Sequence, residues 1–338
     1  MKTKSVLIFT MILLFMVTIV SGCTLNKSSE KKLTKVRLSE VVHSVFYAPM
    51  YVAINKGFFK EEGLDIELST GQGADKVMTA LISNSADVGL AGPEATVYVY
   101  KQGRDNYVLN FAQLTKRDGS FLVGKIPEPD FRWGNLKDKT IIGGRPGGVP
   151  EMVFENILNN HGLTPGKDLN IITNLQFTAT AGAFKGGTGD YVTLFEPTAS
   201  MLEKEKAGYV VASLGKASGE IPYTVFMSSK SYIAKNPDVI QHFTNAIYKA
   251  QVWVKNQKAQ EIAISLQPFF PATDLELLTK VVERYKAEDA WDVNPILEND
   301  ALARLEKIIL KAGELDKPVD PNILINREFA QKAIESIR

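Results

Sequence analysis

The chain has 338 residues, and its 39 lysines and arginines against 38 aspartates and glutamates give a formal net charge of +1. A charge balance so close to neutral gives no basic excess to attract nucleic acid, so we expect no partner of that class. A single cysteine and three histidines leave no disulfide framework and few candidate nucleophiles or metal ligands.

The N-terminus has the layout of an export signal. Two lysines precede an apolar run over 6–20 that is shorter than a typical membrane-spanning helix. The run ends in Ser21-Gly22-Cys23, which resembles the lipobox of bacterial lipoproteins, whose cysteine is diacylated and becomes the first residue of the mature chain. The resemblance implies a signal peptide over 1–22 and lipidation at Cys23. An ordinary signal peptide with an incidental cysteine is the alternative.

The residues after Cys23 are polar and rich in serine and lysine. Such a composition cannot bury a core, so residues 23–34 are predicted to form a lipid-anchored linker. Two acyl chains hold a protein to a bilayer and one barely does. The globular part is therefore expected outside the cytoplasm, attached to the cell membrane by its lipid.

Strands, glycine loops and helices alternate through the first part of the globular region. The alternation predicts strands at 36–42, 64–68, 87–90 and 107–113, and helices at 47–56, 74–83 and 94–102. This order predicts parallel strands joined by right-handed crossovers, with the loops gathered at one edge of the sheet.

The same pattern then restarts and ends in a helical tail. It predicts strands at 121–124, 140–143, 170–175, 191–195, 209–214 and 223–228, with helices between them and further helices from Asn236 onward. The chain is expected to cross between two units twice, near 114–120 and near 223–228. We therefore predict lobe 1 from 35–118 plus 224–338, lobe 2 from 119–223, and a two-crossing hinge above a cleft.

Several segments carry a family resemblance. Residues 46–53 (FYAPMYVA) and 56–64 (KGFFKEEGL) resemble the opening of solute-binding proteins of the SsuA/TauA/THI5 (NMT1-like) group, and 86–89, 187–190 and 195–197 resemble its strand-start and strand-end signatures. The resemblance implies a two-lobed periplasmic-binding-protein-like fold of type II, with two mixed α/β lobes. It also implies a small-molecule solute and ABC permease subunits as partners. The group's ligands include alkanesulfonates, taurine, nitrate and thiamine-pyrimidine precursors.

The loop over 143–150 is a candidate anion site. Its glycines, Gly147 and Gly148 among them, leave backbone N–H groups free at a helix start, where the partial positive dipole favours negative charge. Arg145 in the same loop can pair with a carboxylate, sulfonate or phosphate. A surface arginine beside a tight turn is the alternative reading.

Other candidates lie at predicted strand ends or at the crossings. The polar ones are Gln72, Gly73, Glu94, Asp118 and Glu196, and the aromatic ones are Phe46, Tyr47, Phe177 and Tyr223. Aromatic walls suit a planar ligand. Each candidate also has a structural reading, as a turn, a helix-start acid, a carboxylate that accepts backbone hydrogen bonds, or lobe core.

The charge of the solute stays open at this point. Acids outnumber cations among the candidates, which favours an amine-bearing planar heterocycle such as an aminopyrimidine, with Glu196 as its acceptor. Arg145 instead favours an anion of the alkanesulfonate, taurine or nitrate type.

Catalysis has little support in the sequence. The histidines are scattered, metal-ligand spacings are absent, and the cysteine-rich motif of the pyrimidine-making enzymes that share this fold is missing. We expect a monomeric binding protein without cofactor or metal. An extracytoplasmic lyase or synthase on the same fold, or a ligand sensor, remains the alternative.

Overall fold

The computed structural model describes residues 32–337. The predicted signal peptide, Cys23 and most of the linker lie outside the described residues. Within 32–337, no helix combines the length and the hydrophobicity needed to cross a membrane.

The described residues contain two five-stranded sheets. In chain order the strands are β1 (Thr34–Glu40), β2 (Leu64–Thr70), β3 (Val88–Ala91), β4 (Val108–Thr115), β5 (Ser120–Gly124), β6 (Thr140–Ile142), β7 (Asn170–Ile172), β8 (Tyr191–Phe195), β9 (Tyr209–Ser213) and β10 (Thr224–Ser229). The first sheet has the order β2-β1-β3-β10-β4 and the second the order β7-β6-β8-β5-β9. Both sheets therefore follow one plan, and each forms the centre of a lobe.

Helices cover the two sheets. They are α1 (Ala48–Asn55), α2 (Phe58–Glu61), α3 (Ala74–Ile82), α4 (Glu94–Lys101), α5 (Val149–Asn160), α6 (Phe177–Lys185), α7 (Thr198–Lys204), α8 (Leu214–Ser218), α9 (Lys230–Lys235), α10 (Pro237–Asn256), α11 (Ala259–Leu266), α12 (Leu275–Ala287), α13 (Asn299–Lys311), α14 (Pro321–Leu324) and α15 (Glu328–Ser336). Short 3-10 turns lie at Val45–Tyr47, Trp133–Leu136 and Gln267–Phe269. Every residue of β5 and β10 is buried, as expected for central strands covered on both faces.

The prediction of purely parallel sheets is wrong for two strands. β10 is antiparallel to β3 and β4, and β5 is antiparallel to β8 and β9. Each is the first strand after a crossing between the lobes. The other strands of each sheet end at the edge that faces the cleft. A strand that enters the sheet from the cleft starts at that edge and runs away from the cleft, so it is antiparallel to its neighbours.

The two crossings lie side by side. The N–H of Ile221 donates to the carbonyl of Lys116 at 3.0 Å, and that of Tyr223 donates to the carbonyl of Thr115 at 3.2 Å. The N–H of Thr224 also donates to Thr115 Oγ1 at 3.0 Å. The connection between the sheets is therefore a hydrogen-bonded pair of segments.

The helical tail supports this connection, which the sequence did not predict. The Tyr285 hydroxyl, on α12, donates to the carbonyl of Gly119 at 2.8 Å and accepts from the N–H of Glu196 at 3.1 Å. The Trp291 indole Nε1 donates to the carbonyl of Phe46 at 2.8 Å. The tail thus fastens Gly119 and Glu196, which flank β5 and β8, and the turn that follows β1.

Glu196 was expected at the cleft mouth, and the structure corrects this position. Its side chain is buried beside α12, where Oε1 accepts from Arg284 Nη1 at 2.6 Å. Ser200 donates to both carboxylate oxygens at 2.9 Å, one bond from its N–H and one from its hydroxyl. Burial raises the pKa of Glu196, although Arg284 and Ser200 oppose that rise. Glu196 is a structural carboxylate whose charge is already paired.

Replacing Arg284 with alanine is expected to lower the free energy of unfolding by about 3 kcal/mol, because Glu196 would stay buried without its cation. A buried acid whose pKa is raised in the folded state lowers the free energy of unfolding as the pH rises and the acid ionises. The loss of stability in the variant should therefore shrink as the pH falls towards the ordinary carboxyl pKa. Chemical denaturation at several pH values measures both effects. Lys280→Ala, one turn away on α12, breaks only the exposed pair with Glu276 and is the matched control, expected to leave the free energy of unfolding nearly unchanged. Equal losses in the two variants would contradict the assignment.

Candidate functional site

A cavity of about 720 Å³ lies between the two sheets, at the edge where their parallel strands end. The loops after β2, β3 and β6 form its walls, and the second crossing forms its inner end. Eight of the residues predicted from the sequence line it: Tyr47, Gly73, Glu94, Arg145, Gly147, Gly148, Phe177 and Tyr223. This placement follows from topology, because the carboxyl ends of parallel strands meet at one edge.

Four predicted residues lie outside the wall. Phe46 is fully buried among other aromatic rings, and Glu196 is paired with Arg284. Gln72 reaches the site only through its carbonyl oxygen, which accepts from Arg145 Nη1 at 3.3 Å. Asp118 is buried at the first crossing, where the N–H and the hydroxyl of Ser120 both donate to its Oδ1 at 2.7 Å.

Several N–H groups of residues 143–149 donate to acceptors of the protein itself. Gly144 donates to Glu151 Oε2 at 2.6 Å, and Val149 donates to Glu94 Oε1 at 3.4 Å. The N–H of Gly148 donates to the carbonyl of Arg145 at 3.2 Å. The start of α5, predicted to receive an anionic ligand, therefore receives the carboxylate of Glu94 from the facing helix α4.

Arg145 is also paired across the cleft. Its Nη1 and Nη2 donate to Asp75 Oδ1 and Oδ2, on α3, at 2.7 and 3.3 Å. Partial burial alone would raise the pKa of Asp75, but the hydrogen bond and the charge of Arg145 outweigh it and lower that pKa. The one cation that favoured an anionic solute thus already has a carboxylate partner.

Tyr98 provides a third contact across the cleft. Its hydroxyl, on α4, donates to the carbonyl of Gly147 at 2.9 Å. We refer to the three contacts Asp75–Arg145, Tyr98–Gly147 and Glu94–Val149 as the interlobe latch. All three join α3 or α4 to the loop between β6 and α5 or to the first residue of α5.

Glu94 is the most unusual group in the wall. It is only 2% exposed, and its Oε2 has no hydrogen-bond partner among the described residues. Burial raises its pKa to about 7, although the N–H groups of Val149, Ala95 and Glu94 itself oppose the rise. A buried carboxyl oxygen without a partner is costly, and a ligand N–H group would satisfy it.

The inner end of the cavity carries further buried polar atoms. Within the described residues, neither the Tyr223 hydroxyl nor Asp118 Oδ2 has a hydrogen-bond partner. Burial raises the pKa of Asp118 to about 7, although the two hydrogen bonds from Ser120 oppose the rise. Burial also raises the pKa of Tyr223, and the charge of Asp118 adds to it. Two carboxyl groups, Glu94 and Asp118, therefore lie near the same tyrosine.

Sequence reasoning missed several wall residues, among them Asp75, Tyr98, Phe195 and Glu314. Tyr98 lies four residues after Glu94 on the same helix, so helical spacing could have indicated it. Asp75 stands in the first turn of α3, where an acid is ordinary for a helix start. Glu314 comes from the tail, and no local pattern brings it here.

His43 does not line the cavity. Its Nδ1 lies 3.0 Å from Glu40 Oε1, and its Nε2 lies 2.9 Å from the carbonyl of Phe269. The hydrogen bond to Glu40 is the main cause of the raised pKa of His43, and burial opposes the rise. Both nitrogens are engaged, which suits a histidine that fastens β1 to the tail. Residues 32–337 contain no group of three or more metal-ligating side chains arranged to hold an ion.

Gly73 makes room for the Asp75–Arg145 contact of the latch. A Cβ at this position would lie 2.1 Å from Arg145 Nη1 and 2.5 Å from Asp75 Oδ1, and its φ of 150° favours glycine. Gly73→Ala is therefore expected to separate Arg145 from Asp75 and to lower the free energy of unfolding by about 1–3 kcal/mol. Small-angle scattering should show a larger radius of gyration, and denaturation should show the loss.

Gly182→Ala is the control for this variant, since a Cβ there meets nothing within 4 Å. It should leave the radius unchanged and stabilise α6 slightly. If Gly73→Ala keeps the radius and the stability of the parent, the latch does not hold the lobes together.

Comparison with known proteins agrees with this architecture. The protein YtlA of Bacillus subtilis (strain 168), whose name describes it as a binding protein, is 48% identical over 303 residues, which cover 90% of this chain and 91% of YtlA. The 4-amino-5-hydroxymethyl-2-methylpyrimidine phosphate synthase of Aspergillus parasiticus is 24% identical over 295 residues, 82% of each chain.

A solved structure shares the fold. The periplasmic nitrate-binding protein NrtA from Synechocystis PCC 6803 superposes with a TM-score of 0.75 at 16% identity, over 91% of this chain and 90% of that chain. This likeness shows the two-lobed type II fold. The model of the NMT1/THI5-like family matches residues 45–260. The chain belongs to the NMT1/THI5-like family.

Proposed function

We propose that this protein is the extracytoplasmic solute-binding component of an ABC importer, with its solute held in the cavity between the lobes. Three findings support the proposal: the family membership, a relative named as a binding protein at 48% identity, and a type II fold with its cavity at the interlobe edge. The lobe boundaries that we propose are 35–118 with 224–338 for lobe 1 and 119–223 for lobe 2.

The chemistry of the wall favours a solute that donates hydrogen bonds. Arg145 is paired with Asp75, and the N–H groups of Gly144, Gly148 and Val149 donate to protein acceptors. An anionic solute would compete with these contacts for Arg145 and the loop, and it would approach the buried carboxyl of Glu94. The observation that carries our choice is the unpartnered Oε2 of Glu94 in the cavity wall.

The aromatic walls favour a flat solute. Tyr47, Tyr98, Phe177, Phe195 and Tyr223 line the cavity together. Aromatic faces gain most from a planar partner, and tyrosine adds a polar edge. We therefore propose a planar solute with exposed N–H groups, such as an amine-bearing heterocycle of the aminopyrimidine kind. Glu94 replaces Glu196 as the proposed acceptor.

We further propose that a lipid on Cys23 anchors the protein to the outer face of the cell membrane. The lipobox-like sequence and the polar linker support this location, and a monomer would suffice for delivery to permease subunits. No second lipid or transmembrane anchor is needed, because diacylation alone gives stable attachment.

An enzyme on the same fold is the second candidate, and the likeness to the fungal synthase favours it. A synthase or lyase would consume or alter its ligand, whereas a transport protein returns it unchanged. Native mass spectrometry of protein purified from its own cells, followed by analysis of the released ligand, separates the two. A covalently altered ligand or protein would favour the enzyme. A sensor would bind a receptor domain instead of a permease.

The sign of the pH dependence tests the charge of the solute. Benzamidine is a planar donor that stays protonated near neutral pH, and it should bind better as Glu94 ionises. With a pKa of about 7 for Glu94, affinity should rise about tenfold between about pH 6 and about pH 8. Benzenesulfonate, a planar anion, should bind weakly and lose affinity over the same range. Calorimetry at several pH values measures both slopes.

Glu94→Gln is the control for that experiment, since it keeps the shape and removes the charge. Benzamidine should lose about 1.5–3 kcal/mol of binding free energy above the pKa of Glu94, and its pH slope should become flat. Tighter binding of benzenesulfonate than of benzamidine, with the opposite slope, would overturn the donor proposal in favour of an anionic solute.

Cys23→Ser should release the protein from the membrane fraction, because it removes the only cysteine that can carry the lipid. Detergent partitioning of the variant and the parent measures the change. Ser21→Ala, which leaves Cys23 and a small residue before it, is the control and should stay with the membrane. A membrane-bound Cys23→Ser variant would rule out the lipid anchor.

A further inference from the structure

The cavity continues beyond the latch, along the outer side of lobe 1. Residues of α3 and the residue after it line one side, namely 74, 75, 78, 79, 82 and 83. Residues of α4 and the residue after it line the other side, namely 94, 95, 98, 99 and 102. This spacing selects one face of each helix along its whole length. The wall is therefore a groove between α3 and α4, open at its inner end to the interlobe cleft.

The groove is too large for a single ring. α3 has nine residues and is about 13 Å long, at roughly 1.5 Å per residue. The whole cavity has a volume of about 720 Å³, whereas roughly 150 Å³ is enough to hold benzene. A planar group against Glu94 would leave most of this space unfilled.

The floor of the groove is apolar and its rim is polar. Met78, Ala95 and Val99 form a buried floor at 5, 6 and 4% exposure, and Ile82 is partly exposed beside them. Thr79 and the residues near the far end are exposed to solvent. The floor thus offers apolar contact without a hydrogen-bonding group, which suits a hydrocarbon chain or a second ring.

We propose that the solute carries an apolar extension that lies in the groove between α3 and α4, while its planar donor group lies against Glu94. This inference rests on the proposed function, because it takes Glu94 as the anchor of the donor group. The solute class is then an amphiphilic N–H donor with an alkyl or aryl substituent, larger than an isolated heterocycle.

A series of probes tests the extension separately from the donor group. Benzamidine, 4-butylbenzamidine and 4-hexylbenzamidine share one donor group and differ only in the chain. Each methylene buried in the groove should tighten binding about fourfold, measured by calorimetry. Ile82→Lys should abolish this gain, so that the three probes bind the variant with equal affinity. Thr79→Trp, which fills the groove from an exposed position, should do the same if Ile82→Lys does not fold.

Ile264→Lys is the matched control. Ile264 is another partly exposed isoleucine, 49% accessible on α11, and it lies outside the cavity. This variant should keep the full gain from the alkyl chains. If the hexyl probe binds no tighter than benzamidine, or if Ile82→Lys and Thr79→Trp both keep the gain, the extension is overturned and the donor site stands. If benzamidine itself does not bind, the donor site of the proposed function fails instead.

Discussion

The buried ring of Phe46 joins the parts of the molecule whose arrangement defines the cleft. It contacts the rings of Phe195, Tyr223 and Tyr285 at centroid distances of 5.7, 5.6 and 5.4 Å. It also covers the backbone of Gly119, where a Cβ would lie 2.3 Å from its ring. These partners come from the second sheet, both crossings and the tail. One side chain therefore fixes the inner end of the cavity, and this is why Phe46 lies behind the wall while the next residue lines it.

The chemistry of the cavity depends on how the protein satisfies its own charges. The loop between β6 and α5 carries backbone N–H groups and the cation Arg145, a combination that suits an anion. Here Asp75 and Glu94 reach across the cleft and take up those donors. Within residues 32–337, Glu94 Oε2 is a buried acceptor in the cavity wall that stays without a partner. Two proteins of one fold can therefore prefer solutes of opposite polarity, because function resides in the side chains of the site and not in the architecture.

Local patterns predicted the elements well because hydrophobic periodicity and glycine breaks are local properties of a chain. The strand at 191–195 and the start of α3 at residue 74 agree with the sequence prediction. The direction of β5 and β10 was wrong, since it depends on where the chain re-enters a sheet. The role of the tail at the crossings was also missed, because the contacts of Tyr285 and Trp291 join residues far apart in the chain.

The sequence by itself determined that strand ends and glycine loops would meet at one edge, and so it placed Glu94, Arg145 and Tyr223 at a common cavity. The tertiary structure decided which charges face each other there. Arg145 pairs with Asp75 over 70 positions, and Glu196 pairs with Arg284 over 88. A carboxylate takes whichever donor the packed fold brings within reach, and that distance is set by the assembled lobes and not by any local spacing. Only the folded chain could therefore show that Glu196 is already paired and that Glu94 Oε2 has no hydrogen-bond partner within residues 32–337.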